Sequence, residues 1–291
     1  MQVPAGFADL HVHVQPHEQL SESAREVIEG GRADLPLIDK VLGDPAALLA
    51  EMDRVGMARM GLVNYPAPRV MGFGPTTNDW VAAYRDAAPD RLLAWGGMHP
   101  ALTPDADSEM RRLLDELKLD GIKVHPPHQE IAPNAYLDGS VPQLATLYAA
   151  CEQRGVPVMI HTGTSVFPGA RSRLGDPMLC DDVAVDFPEL KLVLAHCGRP
   201  LWYEQAFFVA RRHPNVWLEL SGIPPKKLPE VLPRLEEVGD RVLWGTDWPS
   251  PGVKDLRGNA EVFCGQGHWS EAFKQAVLVD NPARLFPPRA G

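Results

Sequence analysis

Eight short apolar runs recur along the chain, each rich in Val, Ile and Leu: 7–13, 58–64, 92–98, 120–125, 157–161, 191–196, 215–220 and 241–247. They are nearly continuous rather than alternating, which is how strands of a parallel sheet covered on both faces read. Between them lie longer stretches with the three-and-four spacing of an amphipathic helix. These are 45–56, behind a cap at Asp44, then 78–89, 107–118, 141–155, 178–188, 201–214 and 228–239. Most end in Gly or Pro, as helix ends do. Strand–helix alternation repeated eight times predicts an α/β fold, a (β/α)8 TIM barrel, as a single domain over 1–291. The rival is an open doubly wound sheet. Its Gly-rich phosphate turn would follow the first strand, where this chain has HVHVQPH.

The connections are unequal. Those leading into strands are short, such as 89–91, 154–155 and 213–214. Those leaving strands are long: 14–43, 65–77, 126–140, 162–177 and 248–258. Barrel enzymes build their sites from the loops after the strands. The asymmetry therefore marks one end as the working end, with the long loops as walls and lids.

Composition narrows the function classes. The 291 residues are 45% hydrophobic and carry a net charge of −10. An acidic chain lacks the basic face that nucleic-acid binding needs. Cys151, Cys180, Cys197 and Cys264 form no CxxC pair and read as free thiols of a reducing compartment. The opening MQVPAGFADLHVHV has neither a basic nor an apolar leader region. No apolar run approaches the ~18 residues of a membrane span. The expectation is a cytoplasmic enzyme with a small-molecule substrate and no membrane or nucleic-acid partner. Trp202, Tyr203, Phe207 and Phe208 either pack on the barrel or form a homodimer face. Packing is preferred, because every barrel helix needs an apolar stripe.

The chemistry sits on the last residues of the strands. His11 and His13 end the first, His125 the fourth, His161 the fifth, His196 the sixth and Asp247 the eighth. Residues two apart in a strand share a face, so His11 and His13 can grip one ion, with Asp9 as a deeper partner. One HxH is weak evidence alone; its strength comes from the matching later strand ends. Imidazole and carboxylate suit one divalent transition ion, zinc first and manganese second. The set His11, His13, His161 and Asp247 leaves a position open for water, whose pKa such an ion lowers towards ~7. Asp247, in GTDWP, is either such a ligand or a turn cap. His196 is a ligand or a free base, and His125 is structural or functional with equal weight. Lys123 shares His125's face, and a barrel lysine calls for an anionic partner. Arg171 and Arg173, in GARSR, are loop cations for a substrate carboxylate, or else solvated. His17, His128, His213 and His268 are assigned to surface or loops. The strand pleat turns Cys197 away from the rim.

DLHVH, GIKVHP, PVMIHTG, LVLAHCG, LWGTDWP and the closing DNPARLF together resemble the amidohydrolase superfamily. Within it they are similar to the amidohydrolase-related group that includes aminocarboxymuconate semialdehyde decarboxylase and lactone hydrolases. The resemblance covers nearly the whole chain and is specific to the superfamily rather than to one reaction. It implies a mononuclear site held by His11, His13, His161 and Asp247, commonly with zinc, and His196 beside it as a polarising or acid–base group. Two-metal members carry a carboxylated lysine on the fourth strand; here Lys123 lies on that strand, but His125 ends it. Some decarboxylating relatives begin with Glu where this chain has His11.

The leading expectation is hydrolysis of a C–O or C–N bond in a small carboxylate-bearing metabolite. Asp247 acts as base, His196 assists the carbonyl, and Lys123, His125, Arg171 or Arg173 holds the carboxylate. Non-oxidative decarboxylation and hydration use the same constellation. A metal-binding scaffold is the non-enzyme alternative.

Overall fold

The apolar runs form eight parallel strands that pair in chain order from first to last. They are β1 (Phe7–Val12), β2 (Met57–Val63), β3 (Leu92–Gly96), β4 (Gly121–Val124), β5 (Val158–His161), β6 (Leu192–Ala195), β7 (Val216–Glu219) and β8 (Val242–Leu243). This computed structural model describes residues 1–30, 32, 34–250, 253–287 and 289. Backbone bonds from Leu10 N to Trp244 O, Asp247 N to His11 O and His13 N to Trp248 O join the last strand to the first. The sheet is thus a (β/α)8 barrel.

The two-residue period of the strands sorts the core into two layers. Leu92, Ala94, Val158, Ile160, Leu192, Leu194, Val216 and Leu218 pack in the cluster that also contains the helical residues. Their strand neighbours Leu93, Trp95, Met159, Val193 and Trp217 belong to a second cluster, with Leu10 and Leu243. The second layer is the barrel filling. Because both layers are apolar, the strands read as continuous runs.

Helix ends follow local chemistry. Asp44 Oδ1 accepts from Ala46 N at 2.9 Å and starts the helix Pro45–Val55. That helix stops at Gly56, whose φ of 74° is open to glycine at little cost. Elsewhere the structure departs from the pattern. The segment 228–239 is one helical turn, Leu228–Val231, then a 3-10 turn from Leu235. Pro233 supplies no N–H and its ring obstructs a continuous helix. The connection 14–43 contains two helices, Glu22–Glu29 and Leu35–Gly43. Among the described residues, no helix is long and apolar enough to cross a membrane.

Candidate active site

All five long connections converge on one cavity of about 270 Å³ at the C-terminal end of the barrel. Its floor carries His11, His13, Lys123, His125, His161, His196 and Asp247, which the strand ends bring together. Its apolar wall includes Ile28, Met71, Phe167 and Val253.

Hydrogen-bond partners set the state of each ring. His11 Nδ1 donates to Glu219 Oε2 at 2.8 Å, with both side chains fully buried. His11 Nε2 is left with its lone pair and makes no hydrogen bond among the described residues. His13 Nδ1 donates to Val63 O at 3.1 Å. Its Nε2 lies 3.0 Å from Asp247 Oδ1, and His11 Nε2 lies 3.6 Å from the same oxygen. Two ring nitrogens facing one carboxylate oxygen need a cation among them, a proton or a metal. The three ligand atoms of His11, His13 and Asp247 lie within 4.8 Å of one another. Burial, aided by the Lys123 charge, pushes His11 down to about 4, so the ring stays neutral and able to ligate. The residues fit a divalent metal.

Asp247 is buried, which alone would raise its pKa. His196, His13 and His11 around it override that and hold the carboxyl well below the usual range. Its Oδ2 accepts from Arg199 Nη2 at 3.2 Å. Asp247 and His196 both have left-handed backbone, φ 67° and 68°. Non-glycine residues persist there only where the surrounding fold imposes it, and such positions gather at functional sites.

His196 Nδ1 donates to Ser221 O at 3.0 Å, leaving Nε2 as an acceptor. A neutral ring in this state is a base, and polarises a carbonyl only after gaining a proton. His161 Nε2 donates to Thr164 O at 3.3 Å, which leaves its lone pair on Nδ1. The His161 ring stands 4.6 Å from His196 and 3.9 Å from His125, outside the three-residue group of His11, His13 and Asp247. Lys123 Nζ is fully buried with no hydrogen-bond partner among the described residues. Burial pushes its pKa down to about 8.

Arg171 and Arg173 do not reach the cavity. Both are exposed, and Arg171 Nε pairs with Glu130 at 3.1 Å. Arg199 is the arginine on the cavity wall, and sequence reasoning passed over it. Its signal was its place three residues beyond His196, on the rim itself. Glu219 was missed too, although a carboxylate ending the apolar run NVWLEL is conspicuous. Its carboxylate also accepts from Ser221 N at 2.7 Å and Ser221 Oγ at 2.8 Å. Glu219 and Ser221 thereby fix the orientation of both His11 and His196. Asp9 accepts from His11 N at 3.1 Å and Thr246 Oγ1 at 2.7 Å, so it ties β1 to the segment bearing Asp247 and leaves the His11 ring alone. His128 and His17 lie in the connections after β4 and β1, yet they are buried and line the cavity rather than the surface; His213 is also buried, and His268 is exposed.

The family described as Amidohydrolase matches residues 8–287. The chain belongs to this family. It is 35% identical over 157 residues to "2-pyrone-4,6-dicarbaxylate hydrolase" of Comamonas testosteroni, covering 41% of this chain and 52%, about half, of that relative. It is 34% identical over 311 residues to 4-sulfomuconolactone hydrolase of Rhizobium radiobacter, covering 98% of this chain and 91% of the relative. Among solved structures, a dihydroxybenzoic acid decarboxylase of Polaromonas sp. JS666, with bound manganese and 2-nitroresorcinol, superposes with a TM-score of 0.70 at 18% identity. That match covers 99% of this chain and 98% of the other, and at that identity the likeness is one of fold. Hydrolase relatives and a decarboxylase structure are thus similar to this one barrel, and this chain is an enzyme of the amidohydrolase family.

Proposed function

We propose that this amidohydrolase-family enzyme hydrolyses the ring ester of a small, carboxylate-bearing lactone, using one divalent metal. The observation that carries the reading is the group of buried His11 and Asp247 with half-buried His13, in which His11 Nε2 has no hydrogen-bond partner among the described residues. Similarity to two lactone hydrolases, one along nearly the full chain, supports the choice of a C–O bond. His11, His13, His161 and Asp247 would hold the ion, zinc being the first choice and manganese the second. When bound, such an ion supplies a Lewis acid for the ring carbonyl and acidifies water beside it.

The chain's own residues do the rest. Asp247 Oδ2 and His196 Nε2 are acceptors for the proton of the attacking water. As the new C–O bond forms at the carbonyl carbon, the ring C–O bond breaks. The accepted proton then passes to the departing ring oxygen, so water is consumed and a hydroxy acid or its tautomer results. Arg199, rather than Arg171 or Arg173, provides the cavity's guanidinium for a substrate carboxylate. Lys123 adds an amine whose lowered pKa lets it serve charged or neutral. His125 contributes a wall rather than a charge, since burial keeps it neutral.

The deciding experiment uses purified protein stripped by a chelator and reloaded with Zn2+ or Mn2+. Ring opening of 2-pyrone-4,6-dicarboxylate and 4-sulfomuconolactone is scored against CO2 release from 2,6-dihydroxybenzoate. Metal-restored ring opening is expected. CO2 release without ring opening, or ring opening indifferent to metal, would overturn the proposal.

A further inference from the structure

A second polar device faces the same cavity, built from residues the metal group does not use. Tyr65 follows β2, His128 lies in the turn after β4, and Ser165 lies in the connection after β5. Tyr65 Oη is 2.9 Å from His128 Nδ1, and His128 Nε2 is 2.7 Å from Ser165 Oγ. All three line the cavity. The His128 ring stacks on His125 at 3.5 Å and stands 6.3 Å from His161, so the device lies one imidazole away from the metal group.

Burial decides which way the protons run. Tyr65 is 2% exposed, and among the described residues its hydroxyl has no hydrogen-bond partner except His128. If His128 Nδ1 donated to it, the buried phenol proton would have no acceptor, an arrangement native structures avoid. Tyr65 O–H therefore donates to Nδ1, and the neutral ring carries its proton on Nε2 and donates to Ser165 Oγ. Ser165 Oγ also accepts from Phe167 N at 3.2 Å. Both acceptor positions of Ser165 are then filled, and its own O–H is left to donate. Ser165 is half-buried and lines the cavity, so its O–H is free to donate to a group bound there.

We propose that Ser165 is a substrate-binding donor, aimed by Tyr65 and His128, for an anionic oxygen on the lactone's ring substituent, a carboxylate or sulfonate. This rests on the lactone reading of the same cavity. The reacting carbonyl belongs at Asp247 and His196, and the substituent points to the far side of the His125–His161 stack. The two hydrogen bonds leading to Ser165 polarise its O–H and strengthen the final donor. Tyr65 and His128 are positioning residues; Ser165 makes the contact.

Two measurements test it. The first needs no substrate: nitrogen NMR of labelled histidine should show His128 protonated on Nε2 and bare on Nδ1, with Tyr65→Phe disturbing that tautomer. A proton on Nδ1 in the wild type overturns the proposal. The second uses metal-loaded enzyme with 2-pyrone-4,6-dicarboxylate and unsubstituted 2-pyrone. Ser165→Ala should raise KM about tenfold for the dicarboxylate, keep kcat within about twofold, and leave unsubstituted 2-pyrone unaffected. Tyr65→Phe should act in the same direction and add nothing in the Ser165→Ala background. Equal effects on both lactones, or additive effects of the two substitutions, overturn it. If neither lactone is opened, the lactone reading falls, and calorimetric binding of benzene-1,3-dicarboxylate decides the subsite instead. About tenfold weaker binding to Ser165→Ala supports it; equal or undetectable binding to both proteins overturns it.

Discussion

Glu219 Oε2 lies 2.8 Å from His11 Nδ1, and neither side chain has any exposed surface. The carboxylate fixes which nitrogen of His11 is bare, and so whether the ring can ligate. Glu219→Gln keeps the shape and replaces the carboxylate with an amide. We predict metal affinity about 10–100-fold weaker with the barrel intact. Metal titration alongside circular dichroism checks this; unchanged affinity would detach Glu219 from the metal group.

Gly245 lies against this pair. A Cβ there would collide with Glu219 Oε1 and come within 2.7 Å of His11 Cβ. Neither neighbour can yield, because each is packed and bonded. Gly245→Ala should cost about 1–3 kcal/mol of stability, read by urea unfolding, and lower metal occupancy in parallel. A variant as stable and as fully loaded as the wild type would contradict the packing described for this corner.

In the proposed proton route Asp247 has the most direct chemical role. Asp247→Asn keeps the volume but replaces the carboxylate with a neutral amide, which does not take up the proton. A fall in kcat of at least about 100-fold is expected, with metal still detectable. Full activity in a metal-loaded Asp247→Asn protein would refute the proposed proton route.

His128 makes stability pH-dependent. Burial, with the neighbouring His13 and Lys123, pushes its pKa down to about 3, against 6.5 for a free ring. Between those values the unfolded chain holds a proton that the folded chain refuses. This contribution is therefore complete above pH ~6.5 and declines as the pH falls towards 3, with a slope of up to about 1.4 kcal/mol per unit. In chelator-treated protein, His128→Gln should flatten the acid side of the stability curve. A parallel curve in wild type and variant would show that His128 does not carry it.

The barrel was readable because a strand covered on both faces leaves a plain mark, as in LKLVLAH. The gathering of the histidines and Asp247 at one rim was readable for a related reason: a strand end fixes where the side chains in and just beyond it sit. His11 and His161 lie in β1 and β5, His13 and His196 directly follow β1 and β6, and Asp247, beyond β8, is held by the bond from its N to His11 O, so all five share one cavity. Loop residues have no such anchor. Arg171 and Arg173 had suitable chemistry, but both side chains are exposed and Arg171 pairs with Glu130. His128 gave the opposite error: a one-turn helix, Pro126–Gln129, folds it inward. Pro233 broke a helix whose apolar spacing was otherwise sound, a case of backbone chemistry overriding pattern.

The seam that closes the barrel passes through the chemistry. His11 and His13 lie on the first strand side, and Asp247 lies beyond the last, 234 residues from His13. Backbone bonds hold the two sides together at His11 and His13. An ion gripped by these residues would act as a clasp between the two ends of the chain, restraining a very long loop much as a covalent cross-link does. Occupancy would then add to the backbone bonds at this joint, and an enzyme that lost its ion would lose part of its stability together with its reactivity.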